Sequence, residues 1–514
     1  MKVVSAAQMR EIDRVAIDER LVPSLALMER AGQAVADEIA WRFEPEAVVI
    51  VTGKGNNAGD GFVVARLLAE RDVQVRCAML AAPESLAGDA AANYARLPDS
   101  VEVRPVAAYE ELVESLSDME LIVDAILGTG VTGAVRGLFG EAITALNEAE
   151  APVVAVDIPT GLPTDGGPLS GPCVCAEVTI TIGLPKIGQV VYPGCDYVGQ
   201  LIVADIGFPS DLLNDEGLKL NIIDKEIARS ALPERQRESH KGTYGSCLIV
   251  AGSRGMTGAA ILAAGSALRS GAGMVFAALP AGLNDIFEAN VIEALSLPLA
   301  SASGDFLDDD SRDPILREAE RMNAVAVGPG LGQQPETQQL VRHLLPALNL
   351  PLVIDADGLN ALVGHAGLLK QRSTPTIVTP HPGEMARLLG AETKAIQADR
   401  LGVAGEFAAR YQVHVILKGA QTIIAAPDGQ LFINPTGNSA LAKGGSGDVL
   451  TGLLVGLLAQ GASPLAACQL GVFLHGLAGD LAGRRYGVRA ALPGDVVDRL
   501  GDAFLKIEYP ENKD

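Results

Sequence analysis

A recurring pattern of short apolar runs, glycine-rich loops and helical segments constrains the fold of this chain more than any other feature. In the N-terminal part, the runs rich in Val and Ile cover residues 48–53, 73–79, 121–127, 153–159, 178–183 and 201–207. Continuous β-branched runs separated by helix-compatible stretches are typical of parallel strands buried on both faces. The pattern predicts an α/β fold with helices on both faces of a parallel sheet.

The pattern stops and then starts again, which predicts two domains. Residues 208–240 are polar and charged, with Pro and Gly, and the later apolar runs cover 247–253, 274–280, 324–330, 351–358, 376–384 and 413–419. A chain of 514 residues also exceeds the size at which single cores stop growing, about 250–300 residues. We therefore place one domain at 1–215, a linker region at 216–238 and a second domain at 239–514. Residues 422–434 read as a hairpin with its turn at Pro427–Gly429.

Charge and cysteine content exclude several classes of protein. With 40 Lys and Arg against 63 Asp and Glu, the net charge is −23, which argues against a nucleic-acid partner. Six cysteines without a CxxC pair fit a reducing compartment, and we expect a cytoplasmic protein. The first twenty residues do not resemble a signal peptide, and the apolar runs are shorter than the roughly 20 residues that span a bilayer, so we expect no membrane association. An anionic ligand would need local backbone N–H groups or a bound cation.

Three loops of the first half could form a ligand site. GKGNNAGDG (53–61) joins a strand to a helix, although a tight turn with Asp60 as a helix cap is an equally good interpretation. Asp124 ends a strand before a long glycine loop, and Asp157 ends another. Because the carboxyl ends of parallel strands form the ligand crevice of an open sheet, the three loops should converge.

The second half carries its sharpest signal in GGSGDVLTG (444–452), a glycine run that opens an apolar helix. Such a run directs several N–H groups at one point and favours an anion. Asp448 is either a helix-terminal carboxylate or a base that activates a hydroxyl for phosphoryl transfer. His381 and Lys418 also follow strand ends, where a structural histidine and a surface lysine are the alternatives.

These motifs, in this order, resemble a known pair of families. GNNAGDG, ILGTGVTG and VDIPTG resemble the NAD(P)H-hydrate epimerases. GSRGMTGAAILA, VGPGLG, DADGLNAL, TPHPGEMARLL, LKGAQT and GNSALAKGGSGDVLTG resemble the ADP-dependent NAD(P)H-hydrate dehydratases. The resemblance implies an N-terminal Rossmann-like three-layer sandwich and a C-terminal ribokinase-like α/β domain. It also implies a bifunctional enzyme that epimerises hydrated NADH or NADPH and dehydrates the S form with ADP, giving AMP and phosphate.

The resemblance assigns roles to residues of the first domain. Asp157 matches a substrate-contacting acid/base residue, and Asn57, Asp124 and Thr160 match potassium ligands. The positions that match substrate-binding residues are Asn56, Asn57, Ala58, Gly59, Asp60, Gly128, Thr129, Gly130, Val131, Thr132, Gly133, Ala134 and Asp157. Ala58 stands where the family usually has glycine, which would strain a position that needs positive φ.

The resemblance likewise assigns roles in the second domain, where Asp448 would accept the hydroxyl proton. Gly258, Gly330, His381 and Asp448 match positions that bind the hydrated dinucleotide. The positions that match nucleotide-binding residues are Lys418, Gly419, Ala420, Gln421, Thr422 and Gly447. The implied cofactors are potassium and magnesium ions, with ADP as co-substrate. The implied partners are these small molecules, and we expect a homo-oligomer.

Two other functions fit parts of the sequence. One is a ribokinase-like small-molecule kinase fused to a Rossmann-like ligand-binding module, because a glycine run with Asp448 also suits a kinase. The TPHPGEM segment and the first-half loops argue against it. The other is a non-catalytic ligand sensor, against which the presence of both Asp124 and Asp157 argues.

Overall fold

The computed structural model describes residues 1–130 and 133–509. These residues form two compact units, Lys2–Leu220 and a second unit that starts at Asn221 and also includes Met1. Val131 and Thr132, which the sequence analysis assigned to substrate binding, lie outside the described residues.

The first unit is built on a parallel seven-stranded sheet with the strand order β3-β2-β1-β4-β5-β6-β7 in the described part of the chain. Its strands are β1 (Ala47–Thr52), β2 (Gln74–Met79), β3 (Glu102–Pro105), β4 (Leu121–Ala125), β5 (Val153–Val156), β6 (Val178–Ile182) and β7 (Gln200–Ala204). Its helices are α1 (Ala6–Arg14), α2 (Ser24–Phe43), α3 (Asn56–Ala69), α4 (Gly88–Tyr94), α5 (Tyr109–Leu116), α6 (Leu138–Glu148), α7 (Ile187–Val190) and α8 (Ser210–Leu213).

Alternating residues of β1 show why this sheet is buried on both faces. Val48 and Ile50 belong to a core shared with α2 and α3, whereas Val49 and Val51 belong to a core shared with α5 and α6. The strand order reverses direction between β1 and β4, and ligands bind at such a switch point in open α/β sheets. The predicted Rossmann-like three-layer sandwich is confirmed.

The second unit is built on a ten-stranded sheet with the order β11-β10-β9-β12-β13-β14-β15-β16-β17-β8 in the described residues. Its strands are β8 (Leu220–Ile222), β9 (Ser246–Val250), β10 (Met274–Pro280), β11 (Leu295–Leu299), β12 (Ala324–Val327), β13 (Leu352–Ile354), β14 (Thr376–Val378), β15 (His414–Leu417), β16 (Ile423–Ala425) and β17 (Leu431–Ile433). Strands β9 to β15 pair in parallel, and β15, β16 and β17 pair antiparallel, which confirms the predicted hairpin.

Helices cover both faces of this sheet over two separate cores. They are α9 (Lys225–Ser230), α10 (Thr257–Arg269), α11 (Asn284–Asn290), α12 (Arg312–Ala319), α13 (Pro335–Ala347), α14 (Asp357–Asn360), α15 (Pro382–Leu389), α16 (Thr393–Ala398), α17 (Arg400–Tyr411), α18 (Ser446–Ala459), α19 (Pro464–Tyr486) and α20 (Pro493–Glu508). Among the described helices, α19 is long and apolar enough to cross a membrane by length and composition, but 61% of its most apolar window is buried in the protein.

The region interpreted from the sequence as a linker has regular structure. Residues 216–238 include β8 and α9, and the division between the two units falls within β8. Ile223 and Ala228 from this region are fully buried in the core of the second unit.

Candidate functional site

In the first unit, the loops after β1 and β4 approach each other closely. A Cβ atom on Gly53 would lie 2.3 Å from the carbonyl oxygen of Ile126, so a larger residue would push the two loops apart. The chain enters α3 directly afterwards, with Gly55 as the N-cap. Asp60 is therefore a buried residue inside the helix and not its cap, which was one of the two interpretations of this loop. Ala58 has helical backbone and is fully buried, so replacing glycine there causes no strain.

Asp124 and Thr160 form a buried pair at the ends of β4 and β5. The Thr160 hydroxyl donates to Asp124 Oδ1 at 2.7 Å, and the Thr160 backbone N–H donates to Asp124 Oδ2 at 2.7 Å. Burial raises the pKa of Asp124 to about 6, although the hydrogen bonds from Thr160 oppose the shift. A buried carboxylate of this kind favours a nearby positive charge.

Asn57 brings an unsatisfied amide to the same edge of the sheet. Its Oδ1 and Nδ2 atoms are both buried without a hydrogen-bond partner among the described residues. A Cβ on Gly128 would lie 3.5 Å from the Asn57 side chain, so the loop after β4 lies beside it. Buried polar groups are normally paired. The Asn57 amide, the Asp124 carboxylate and the Thr160 hydroxyl carry hard oxygen atoms, the donor type that alkali cations prefer.

A cavity of about 490 Å³ opens over these loops. Asn56, Gly128, Thr129 and Gly130 line it, as do Asp157 and Asp60. Most of the predicted substrate-binding loop residues are thus brought together, as the convergence of parallel strand ends predicted. Ala58 and Gly59 are buried within α3.

Asp157 is held in an unusual conformation at the end of β5. Its φ is +65°, a region that non-glycine residues rarely adopt and that clusters at functional sites. Its Oδ1 atom accepts hydrogen bonds from the Ile182 backbone N–H at 3.0 Å and from the Thr181 hydroxyl at 3.4 Å, and it forms an ion pair with Lys186. The Lys186 side chain is 1% exposed. The Asp157 carboxylate is therefore fixed by the end of β6 and by Lys186.

Two more carboxyl groups, on Asp60 and Asp13, share the cavity with Asp157. Burial, and then the charges of Asp157 and Asp13, raise the pKa of Asp60 well above its usual range. Burial, and then the charge of Asp157, raise the pKa of Asp13 to about 6. Carboxyl groups with raised pKa values beside a carboxylate in an ion pair are an arrangement that suits acid–base chemistry.

In the second unit, the start of α18 lies against an ion pair. A Cβ on Gly447 would lie 3.2 Å from Lys418 Nζ and 3.4 Å from Asp355 Oδ2. Lys418 Nζ lies 2.7 Å from Asp355 Oδ1, and the Thr451 hydroxyl donates to Asp355 Oδ2 at 2.8 Å. The Asp355 side chain is 1% exposed. The Lys418 ammonium is thus fixed beside the N-terminus of α18.

Burial and charge perturb both Lys418 and Asp448. Burial lowers the pKa of Lys418, but the Asp355 and Glu384 carboxylates outweigh burial and the net shift is upward. Burial, and then the Asp355 charge, raise the pKa of Asp448 to about 7. A carboxylate with a pKa near neutrality suits general-base catalysis better than an ordinary helix-terminal aspartate.

His381 caps α15 as well as bordering the site. Its Nδ1 accepts from the backbone N–H groups of Gly383 at 3.0 Å and of Glu384 at 3.3 Å, and the Glu384 carboxylate accepts from the His381 backbone N–H at 2.8 Å. Burial lowers the pKa of His381, although Glu384 opposes the shift. Glu384 lies 3.9 Å from Lys418, so His381 joins the cluster around Lys418.

The remaining predicted residues of the second unit lie near the start of α10 and in the 418–422 loop. A Cβ on Gly330 would lie 2.8 Å from Ala259 Cβ, which places Gly330 beside the start of α10, where Gly258 lies. The 418–422 loop is braced by Arg400, whose guanidinium donates to the backbone oxygens of Leu417 at 3.2 Å and of Ala420. The Thr422 hydroxyl donates to the Gly419 oxygen at 2.9 Å.

Several residues of these clusters were missed from the sequence. Asp355 follows β13 in the DADG segment and Lys186 follows β6, and a strand-end position is the signal that could have identified both. Asp13 lies in an amphipathic helix among other charged residues, and no pattern distinguishes it.

Fold and site together define a class of protein: a two-domain α/β enzyme with a cavity at the strand ends of a Rossmann-like unit and a cluster of charged residues at a glycine-rich helix start in the second unit. The sequence comparisons agree with this class. Residues 24–188 match the family model described as "YjeF-related protein N-terminus", and residues 247–501 match the model described as "NAD(P)H-hydrate dehydratase".

Relatives extend the match to the whole chain. The chain is 44% identical to the bifunctional NAD(P)H-hydrate repair enzyme of Moorella thermoacetica, over 99% of this chain and 97% of that protein. A solved structure of a ribokinase-like superfamily protein from Enterococcus faecalis covers 56% of this chain and 96% of its own, with 24% identity and a TM-score of 0.50. An ADP/ATP-dependent NAD(P)H-hydrate dehydratase from Bacillus subtilis is 35% identical, covers 56% of this chain and 98% of its own, and has a TM-score of 0.48. The chain belongs to the bifunctional NAD(P)H-hydrate repair enzyme family.

Proposed function

We propose that the first unit interconverts the R and S epimers of hydrated NADH and NADPH, and that the second unit dehydrates the S epimer at the expense of ADP. One observation supports the second activity most directly. Asp448, whose pKa is raised to about 7, directly follows Gly447 at the start of α18, beside Lys418. This arrangement puts a base next to a site for a transferring phosphoryl group.

In the proposed dehydration, Asp448 accepts the proton of the ring hydroxyl. The hydroxyl oxygen then attacks the β-phosphorus of ADP, and the bond to the bridging oxygen breaks to release AMP. Phosphate is a better leaving group than hydroxide, so the ring C–O bond breaks with its electron pair. Loss of a proton from the neighbouring ring carbon restores the double bond of NADH or NADPH. Lys418 and the α18 N-terminus stabilise the negative charge of the phosphoryl group.

In the proposed epimerisation, Asp157 transfers a proton at the ring. The ion pair with Lys186 and the hydrogen bond from Ile182 hold its carboxylate in the cavity. Asn56, Asn57 and the loop after β4 bind the dinucleotide at the N-terminus of α3, which favours phosphate.

Two metal ions complete the proposal. Asn57, Asp124 and Thr160 would hold a potassium ion, which offsets the charge of Asp124 and of the dinucleotide phosphates. In the described residues no group of three or more His, Cys, Asp or Glu side chains is arranged to hold a metal ion. We therefore propose that magnesium enters with the phosphates of ADP, as Mg²⁺ commonly does.

The test uses purified protein and an equilibrium mixture of acid-hydrated NADH epimers. With ADP, dihydronicotinamide absorbance should return completely, and one phosphate and one AMP should form per NADH. Without ADP, absorbance should stay constant. Replacing ADP with ATP shows which nucleotide is preferred. Failure to regenerate NADH with either nucleotide contradicts the proposal.

An Asp157→Ala variant separates the two activities. It should consume the S epimer at the wild-type rate and then slow to the rate of spontaneous epimerisation, because the proposed acid/base residue is gone. Rapid consumption of the whole mixture would exclude Asp157 from epimerisation. Loss of both activities would indicate a structural role.

Assembly and location are proposed on the sequence alone. We propose a cytoplasmic homo-oligomer, to be tested by light scattering of the purified protein and by cell fractionation.

A further inference from the structure

Helix α1 is fixed against the segment that carries Lys186. The Val4 backbone N–H donates to the Pro185 oxygen at 2.9 Å, and the Ile187 N–H donates to the Val4 oxygen at 3.0 Å. The Ala6 N–H donates to Asp165 Oδ1 at 2.6 Å. Ser5 and Gln8 form a capping box at the start of the helix. The backbone of α1 is therefore held in a defined position beside the cavity.

One face of this helical segment lines the cavity. Met9, Asp13 and Ile17, at positions i, i+4 and i+8, all border it, and residues at this spacing share a helix face. Among the described residues, the Asp13 carboxylate accepts no hydrogen bond from the protein, although it lies on the cavity side. The ionisable residues around it in the cavity are Arg10, Asp60, Asp89, Asp157 and Lys186.

Lys186 pairs with Asp157, and its charge offsets only part of the upward shift in the pKa of Asp13. Its ammonium group is fully engaged, because it pairs with Asp157, donates to the Thr181 hydroxyl at 2.8 Å and donates to the Ile182 oxygen at 3.0 Å. An ammonium has three protons to donate. Asp157 thus forms the ion pair, whereas burial and the charge of Asp157 raise the pKa of Asp13 to about 6, so Asp13 keeps its proton to a higher pH than an ordinary aspartate.

We propose that Asp13 is the second acid–base residue of the epimerase site and exchanges protons with the substrate together with Asp157. The proposal rests on the epimerase function proposed above. It assigns a catalytic role to a helix that the sequence analysis left without one.

The chemistry requires two such groups. In the hydrated substrate, water has added across an enamine double bond of the ring. The resulting hydroxyl lies on the ring carbon that is bonded to nitrogen. To invert that carbon, the hydroxyl takes a proton from one carboxyl group and leaves as water with the C–O electron pair, while the nitrogen lone pair forms a C=N⁺ bond. Water then adds to the opposite face and gives a proton to the other carboxylate. No electrons are gained or lost, and the pair holds one proton before and after the step. Departure and addition occur on opposite faces, so one carboxyl group cannot serve both.

The test measures conversion of the R epimer to the S epimer, with dehydration of the S epimer as the coupled readout. Asp13→Asn should lower kcat for epimerisation by about 10²–10⁴-fold, with KM changed only a few-fold. ADP-dependent dehydration of pure S epimer should keep its wild-type rate. Asp13→Glu should recover part of the lost rate. Asp18→Asn, at an exposed aspartate five residues further along the chain, is the matched control and should behave as wild type.

The pH profile distinguishes catalysis from support of the fold. Because the pair must hold one proton, the wild-type rate should fall as pH rises above about 6, where Asp13 loses its proton. The residual activity of Asp13→Asn should lack this decrease above about pH 6, which is the alkaline limb of the profile. Wild-type kcat in Asp13→Asn, or a reduced kcat with the limb intact, overturns the proposal. If Asp13→Asn does not fold, a wild-type rate that stays constant from pH 6 to pH 8 overturns it. Asp157→Ala is measured in parallel. Wild-type epimerisation in that variant would contradict the proposed role of Asp157. Wild-type epimerisation in Asp13→Asn would contradict only the proposed role of Asp13.

Discussion

Asp448 is the third residue of α18, where burial and the Asp355 charge raise its pKa to about 7. Asp157, in contrast, is surrounded by donors and a buried lysine. The two carboxylates therefore have different surroundings: Asp448 has a raised pKa, and Asp157 is held in an ion pair. At the scale of single residues, environment decides which chemistry an aspartate can perform.

The first prediction concerns Asp448. Asp448→Asn should lower the rate of S-epimer dehydration by about 10²–10⁴-fold, the usual cost of losing a general base. Since only the ionised carboxylate accepts a proton, the wild-type rate should rise as pH increases through about 7, and the variant should lose this dependence. Single-turnover rates across pH provide the measurement, and calorimetry should show ADP binding unchanged.

Asp285→Asn is the control for that experiment. Asp285 also lies in the first turn of a helix but is exposed, so its replacement should leave dehydration unchanged. A wild-type rate in Asp448→Asn would remove Asp448 from the mechanism.

At the scale of elements, three strand ends meet to form the proposed potassium site. Asn57→Ala removes the amide that is buried without a partner, and it should abolish any stabilisation by potassium. A ligand at 100 times its Kd stabilises the native state by about 2.7 kcal/mol. We expect the wild-type melting temperature to be higher in potassium chloride than in choline chloride of equal concentration.

Asn56→Ala is the matched control, because Asn56 is the exposed neighbour of Asn57 in the same turn. It should retain the potassium-dependent shift. Equal melting temperatures of the wild type in the two salts would show that this site does not hold potassium.

Close packing of α18 against α10 positions the phosphoryl site. A Cβ on Gly452 would lie 2.0 Å from the Ala263 backbone oxygen, so α18 can approach α10 only with glycine there. Gly452→Ala should destabilise the second unit by about 1–3 kcal/mol, as overpacking commonly does, and should slow dehydration because the α18 terminus shifts. Denaturant unfolding and dehydration assays measure the two effects.

Gly501→Ala in α20 provides the opposite case. Among the residues that the structure describes, none outside the neighbouring backbone of α20 has an atom within 4 Å of a Cβ built there. Alanine has the higher helix propensity, by about 1 kcal/mol. This variant should therefore be as stable as wild type or more so, and a loss of stability similar to that of Gly452→Ala would contradict the packing argument.

At the scale of the whole molecule, each unit has its own sheet and its own cores. Fragments 1–219 and 220–514 should each fold and unfold cooperatively, because domains with separate cores can do so. The 220–514 fragment should dehydrate pure S epimer but not the R epimer. Circular dichroism melting and the two assays test this, and insoluble or unfolded fragments would contradict the division.

A shorter second fragment tests the contribution of β8 and α9. Fragment 235–514 lacks Ile223 and Ala228, which are fully buried in the core of the second unit. Burying an isoleucine side chain alone contributes about 1.5–3 kcal/mol. The shorter fragment should therefore be less stable than 220–514, and equal stability would show that residues 220–234 are dispensable.

The sequence alone determined the two α/β domains, the order of the strands along the chain, the hairpin and the loops that carry the candidate site. These features are encoded locally, because a buried strand needs a continuous apolar run and a tight turn needs glycine, proline or aspartate at a particular place. The family motifs added roles for Asp157 and Asp448, since each lies inside a recognisable segment.

Only the tertiary structure decided which distant groups meet. Asp13 lines the same cavity as Asp157 because α1 is tied to the segment around Lys186, and Lys418 meets Asp355 because β13 and β15 end at the same edge of one sheet. The charge preference of each carboxyl group depends on burial and on neighbours far away in sequence. Local patterns carry no information on either, so a sequence can place a carboxylate at the end of a strand without showing which group it will pair with.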